Sequence, residues 1–209
     1  MGLLDSLFRK PRVADAPELA DFMDSRAAFM VQKNVFEYAR ARSGLLSSKL
    51  FKEAAFKAEL EKARWGNYPL ALQSVALMVE HALRPAAGDS AQDMREGLIA
   101  AVDEICRRYP PPHGFPADFW QAALTRIAQQ ARRAGLAAPH AIKDIPLETA
   151  REFFERLPIH ADLRSHDFEL VTNNLRVNLC RAYEDFLEAA DSPALAQSLA
   201  AKAVGLPRL

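Results

Sequence analysis

The chain has 209 residues, half of them hydrophobic and about a quarter charged, and its 27 basic side chains balance 27 acidic ones. That is ordinary globular usage, with enough chain for a sizeable core. Zero net charge argues against a duplex-binding module, whose affinity comes from a basic surplus that neutralises phosphates.

Residues 1–14 read as an N-terminal amphipathic arm. Leu3, Leu4, Leu7 and Phe8 share one face of a short helix ahead of Arg9, Lys10 and Arg12, the pattern of a weak contact with a membrane surface. Gly2 with Ser6 also fits the formal N-myristoylation pattern. The plainer alternative is an arm that folds back on its own domain or frays. The opening segment is too short for a signal-peptide core, and no stretch approaches the roughly 20 apolar residues of a membrane span. The expected location is therefore cytoplasmic.

Asp15 and Glu18 form a capping-box pattern, with Pro17 in the first turn. They open an unusually long helix that should end at Gly44 in a left-handed cap. Phe22, Phe29 and Phe36 recur along it with Arg26, Lys33 and Arg40 set between them. Met23, Ala27, Met30, Val31, Val35 and Tyr38 form an adjoining apolar stripe. Aromatics beside cations would suit single-stranded nucleic acid or a phosphorylated ligand. Glu18, Asp21, Asp24 and Glu37 on the same helix oppose phosphate, and Arg and Lys stems commonly cover the edge of a core. The expectation is a core helix with a cationic rim, and nucleic acid is not an expected partner.

A second helix is expected from Ser48 to Trp65, stopped by Gly66. Asn67-Tyr68-Pro69 then turns the chain into a third, Pro69 to Leu83, closed by Pro85. Glu80 and His81 fall in its last turn, where an imidazole complements the helix dipole. A fourth helix, Ala91 to Tyr109, places Met94, Leu98, Ala101, Val102 and Ile105 at helical spacing. Cys106 here and Cys180 later sit in apolar helical contexts and read as buried free thiols. The run Pro110-Pro111-Pro112-His113-Gly114-Phe115-Pro116 is the sharpest break in the chain. It reads as a boundary between halves 15–109 and 117–209 of a single domain, 15–209, or as a rigid rim loop. A fifth helix follows to Gly135, then a short one from Pro146, a loop over 159–165, and a seventh helix from Asp167 to Ala190. Ser192 caps a last helix with Pro193 at its first position.

Three groups of residues could carry chemistry. His160 and His166, with Asp162 and Asp167 between and beside them, bring imidazoles and carboxylates into one loop. Their spacing matches no ligand pattern, and Ser165 and Asp167 suit the start of a helix. Asn174, Asn178, Arg181 and Asp185 form a polar ribbon on the seventh helix. Asparagines are poor helix-interior residues, so they need partners across to another helix, where Asn34 is the candidate, or they line a pocket. No Gly-x-Ser-x-Gly elbow, His-Glu-x-x-His pair or phosphate loop occurs, so no catalytic residue, metal or cofactor is assigned.

The fold expected is all-α, a compact bundle of seven to eight helices. The leading functional reading is a non-enzymatic helical binding or adaptor protein, touching membrane through its arm and engaging a protein partner or a second copy of itself. The alternative is a small-molecule-binding protein or hydrolase-like enzyme. Its polar pocket would lie between helices one and seven, with Asn34, Asn174, Asn178 and Arg181 orienting the ligand and His160 or His166 moving protons.

Overall fold

The computed structural model of the chain describes residues 12–204, so the membrane contact expected of Leu3, Leu4, Leu7 and Phe8 lies outside the described residues. Regular structure is helical throughout, as expected. Among the described residues there is no strand, only an isolated parallel bridge between Val13 and Ala190.

The first helix is long, but it is not one regular helix. α1 (Ala16–Val31) passes through a π-helical turn, Gln32–Glu37, into α2 (Tyr38–Ser43). The capping box opens it: Asp15 accepts the Glu18 N–H at 2.9 Å, and Glu18 accepts the Ala14 N–H at 2.8 Å. Gly44 ends it at a φ of 50° but a ψ of −130°, so the chain leaves through an extended geometry rather than the left-handed cap expected. A 3-10 turn, Gly44–Leu46, and α3 (Ser47–Leu50) lead onward.

The break expected between Trp65 and Pro69 does not occur. α4 runs from Ala54 to Ala87 through both Gly66 and Pro69. Pro69 removes one donor, the N–H that would have reached the Trp65 carbonyl. One residue further on, the Arg156 guanidinium donates to the carbonyl of Gly66 from outside the helix. A Cβ on Gly66 would meet Arg156 Cδ at 3.4 Å and Phe115 Cζ at 3.6 Å, ordinary contact distances, so both side chains pack directly over this point of the helix. The two residues that read as stop signals mark a docking point on a continuous helix. Glu80 and His81 therefore lie inside α4 rather than in a last turn, and both are buried.

α5 (Ala91–Arg107), α6 (Phe119–Gly135), α7 (Leu147–Glu155), α8 (Phe168–Ala189) and α9 (Ser192–Val204) complete the order. α4 is the axis on which α1, α5, α6, α8 and α9 pack. Every residue from Leu70 to His81 is buried, so this stretch is covered on all sides rather than along one stripe. α9 returns across α5 and α4, so the segments on either side of the proline-rich loop share one core. Asp191, rather than Ser192, caps α9 by accepting the Ala194 N–H at 3.2 Å. α5 and α9 cross closely enough that a Cβ on Gly97 would stand 2.0 Å from the Leu199 carbonyl oxygen.

One carboxylate fixes how α4, α5 and α6 meet. Glu80 is fully buried. Arg84 reaches its two oxygens at 3.1 and 2.6 Å, and Arg95 of α5 donates from Nε and Nη2 at 3.2 and 3.0 Å. Arg84 continues to the Ala134 and Ala137 carbonyls, at 2.8 and 2.7 Å, where α6 ends. Arg95 lies flat against Gly135; a Cβ there would be 2.0 Å from its Cζ. Burial alone would raise the Glu80 pKa, but the nearby His81 imidazole and the two guanidiniums outweigh it and hold the carboxyl at about 2.

Two outcomes follow from this packing. Gly97→Ala forces α9 off α5 and should cost about 1–3 kcal/mol in urea unfolding, with hydrogen exchange rising first over 192–204. Because Glu80 has a lower pKa folded than unfolded, its contribution is present above the ordinary value of 4.5 and is lost as pH falls toward 2. Wild-type stability should therefore drop by about 3 kcal/mol more than that of Glu80→Gln across that window. Parallel pH profiles of the two proteins would contradict this.

Candidate functional site

Beside the π-turn lies a cleft of about 550 Å³ between α1 and the N-terminal half of α4. That volume is typical of small-molecule sites, and π-turns recur at functional sites because they displace side chains from the regular helical stripe. Phe29, Phe36, Trp65, Tyr68 and Tyr109 wall it, and Gln32, Glu61 and Arg64 give it a polar edge. Phe29 is 39% exposed, so the cleft is open on that side. Arg64 stands over the Trp65 ring at 4.8 Å and reaches Glu61 at 3.3 Å.

Behind the cleft is an aromatic box. Trp65, Tyr68, Tyr109 and Trp120 are arranged so that every pair of ring centroids lies 5.3–6.1 Å apart, tilted or edge to face. Trp120 Nε1 donates to the Pro110 carbonyl at 3.1 Å. Phe119 packs on Trp120, and Phe115 on Phe119, with centroids 4.8 and 4.6 Å apart. The proline-rich loop thus straps the back of the box.

Asp24 of α1 is the polar centre of this corner. It accepts the Tyr68 hydroxyl and, at 2.9 Å, that of Tyr109, and it pairs with Arg108 at 3.1 Å. Arg108 reaches Asp21 at 2.8 Å as well. Burial first and the Asp24 carboxylate second push both phenols upward. Burial also raises the Cys106 thiol on α5, to about 12. Cys106 is a buried free thiol, as expected, whereas Cys180 is free but only half-buried.

The sequence candidates are scattered. Asn34 sits in the π-turn, 1% exposed, donating to the Met30 carbonyl at 2.8 Å and leaving its own carbonyl oxygen without a partner. On α8, Asn178 is buried while Asn174 and Arg181 face outward. No hydrogen bond joins Asn34 to any of them among the described residues. The polar link between α1 and α8 is instead the Arg26–Asp185 ion pair at 2.9 Å, beside Phe22 and Phe186 with ring centroids 5.4 Å apart.

His160 and His166 are both exposed, and no contact joins them among the described residues. His160 accepts the Asp162 N–H at 3.4 Å. Ser165 does not cap α8; its hydroxyl donates to the Asp162 carbonyl. Asp167 turns inward, accepting the Tyr38 hydroxyl at 2.6 Å and the Arg42 guanidinium. Arg164, unremarked in the sequence, organises that loop by donating to the carbonyls of Ile159, Phe154 and Glu155.

The cations of the first helix are engaged. Arg26 stands over Phe22, Lys33 over Phe29 and Arg40 over Phe51, at 5.1, 5.5 and 5.6 Å. Among the described residues no helix is long and apolar enough to cross a membrane, and no group of three or more His, Cys, Asp or Glu side chains is placed to hold a metal. Comparisons with protein families, curated proteins and solved structures found no match, so the functional reading rests on the geometry.

Asp24→Asn keeps an acceptor but removes the charge. The tyrosinate absorbance of the variant should therefore rise at lower pH than in the wild type, only partly, because burial remains the larger cause. Superimposable alkaline titrations would show that Asp24 does not set the ionisation of these phenols.

Proposed function

We infer that this is a non-enzymatic binding protein whose ligand is a small planar molecule with a mainly apolar body, held in the cleft beside the π-turn. The observation that carries the reading is the convergence of five aromatic side chains on one open cavity of about 550 Å³. Aromatic walls supply a large apolar contact at little cost in side-chain entropy, and their faces favour flat partners. Arg64, Glu61 and Gln32 offer hydrogen bonds to polar substituents at one edge only, which orients the ligand. A cleft that assembles no nucleophile with a base supports binding rather than turnover.

The reading moves the ligand site from the expected junction of the first and seventh helices to that of α1 and α4. Asn34 stays close by, as a residue of the π-turn itself. It is tested with the neutral dye N-phenyl-1-naphthylamine and the variant Ala28→Phe, which places a ring at the exposed edge of the cleft. The dye should brighten on the wild-type protein and bind Ala28→Phe at least about tenfold more weakly, with unchanged thermal unfolding. Equal binding to both proteins, or none to either, would remove the proposal.

A further inference from the structure

A second cavity, on the far half of α4, is built differently. It holds about 470 Å³ between α4, α6 and the segment that leads into α7. Its wall contains His81, 8% exposed. Nδ1 faces the Glu80 carboxylate, 3.1 Å from Oε2, so Nε2 is the nitrogen left with no partner among the described residues. A buried ring nitrogen left without a partner is unfavourable, and a ligand acceptor in the cavity would satisfy it.

The remaining polar groups divide by sign. Arg133, at the cavity edge, makes no ion pair among the described residues, and His140 only stacks on His81, centroids 6.5 Å apart. Of the acidic groups, Asp144 pairs with Arg176 at 3.2 Å, whereas Glu148 accepts from the neutral Gln130 amide at 2.5 Å and keeps its charge. The carbonyls at the end of α6, which would repel an anion, are covered by Arg84. Behind the wall two guanidiniums share the single Glu80 carboxylate, leaving an excess positive charge. Leu77 and Ile145 supply apolar surface in the same cavity.

We propose that this cavity binds a small organic carboxylate, with Arg133 and the two imidazoles meeting its charged end and Leu77 and Ile145 its apolar chain. A phosphate dianion is the poorer occupant. Such sites ordinarily draw on a helix N-terminus or a nest of backbone N–H groups, whereas α6 presents its C-terminal end here.

The test is an NMR titration of the five histidine side chains with sodium hexanoate, its neutral counterpart hexanamide, and inorganic phosphate. Hexanoate should shift the resonances of His81 and His140, and hexanamide should bind at least about tenfold more weakly. Arg133→Gln, a surface change, should weaken hexanoate by a similar factor, while Ala28→Phe should leave it unaltered, since the aromatic cleft is a separate site. Unmoved His81 resonances, an amide that binds as tightly as the acid, indifference to Arg133→Gln, or equal shifts with phosphate would each overturn the proposal.

Discussion

The arrangement of the bundle depends on a carboxylate that cannot be left alone. Glu80 is buried in the middle of α4, and an isolated charge there would be too costly to retain. Its two arginines come from different places, Arg84 one turn along the same helix and Arg95 from α5. Satisfying Glu80 therefore sets the distance of α5 from α4. The spare donors of Arg84 then close the end of α6, and Gly135 leaves room for Arg95. Removing any one member leaves a buried charge or a set of buried carbonyls uncompensated.

The opposite end of the axis uses another device. There Asp24 gathers two phenols and a guanidinium, and four aromatic rings close around them. The run from α1 through α2 is held at two points by carboxylates of different origin: Asp24 of α1 near the aromatic box, and Asp167, just ahead of α8, which takes Tyr38 and Arg42 of α2. Between those anchors the helix makes its π-turn. An inserted residue in a helix pinned at two points has to be absorbed between them, and Asn34 helps by bonding back to the Met30 carbonyl.

Legibility in the sequence followed the range of the interaction that decided each feature. The capping box at Asp15 and Glu18, the end of the first helix at Gly44 and the apolar stripe through Met23, Ala27 and Met30 are local, and they could be read. Gly66 and Pro69 could not, because this part of α4 is buried against segments distant in sequence, among them Arg156, ninety residues away. Glu80 and His81 looked like a polar helix end for the same reason: the partner that makes burial tolerable, Arg95, belongs to the next helix. The asparagines of the polar ribbon on the seventh helix have poor helix propensity whatever their surroundings, and of the two, Asn174 faces solvent on α8 while Asn178 is buried. The aromatic cleft left one faint trace, the placement of Trp65, Tyr68, Tyr109 and Trp120 around the two strongest break signals in the chain.

The aromatic box has a consequence for how this protein can be observed. Both tryptophans of the chain stand in it, in contact with two of the four tyrosines. Rings held 5–6 Å apart at fixed tilts couple their electronic transitions, so near-ultraviolet dichroism and tryptophan emission will be dominated by this one corner. The Glu80 network and the crossing of α5 with α9 carry no tryptophan at all. Loosening there would be optically silent for as long as the box stays closed, and a sharp spectroscopic transition would report the melting of one end of α4 rather than of the whole bundle.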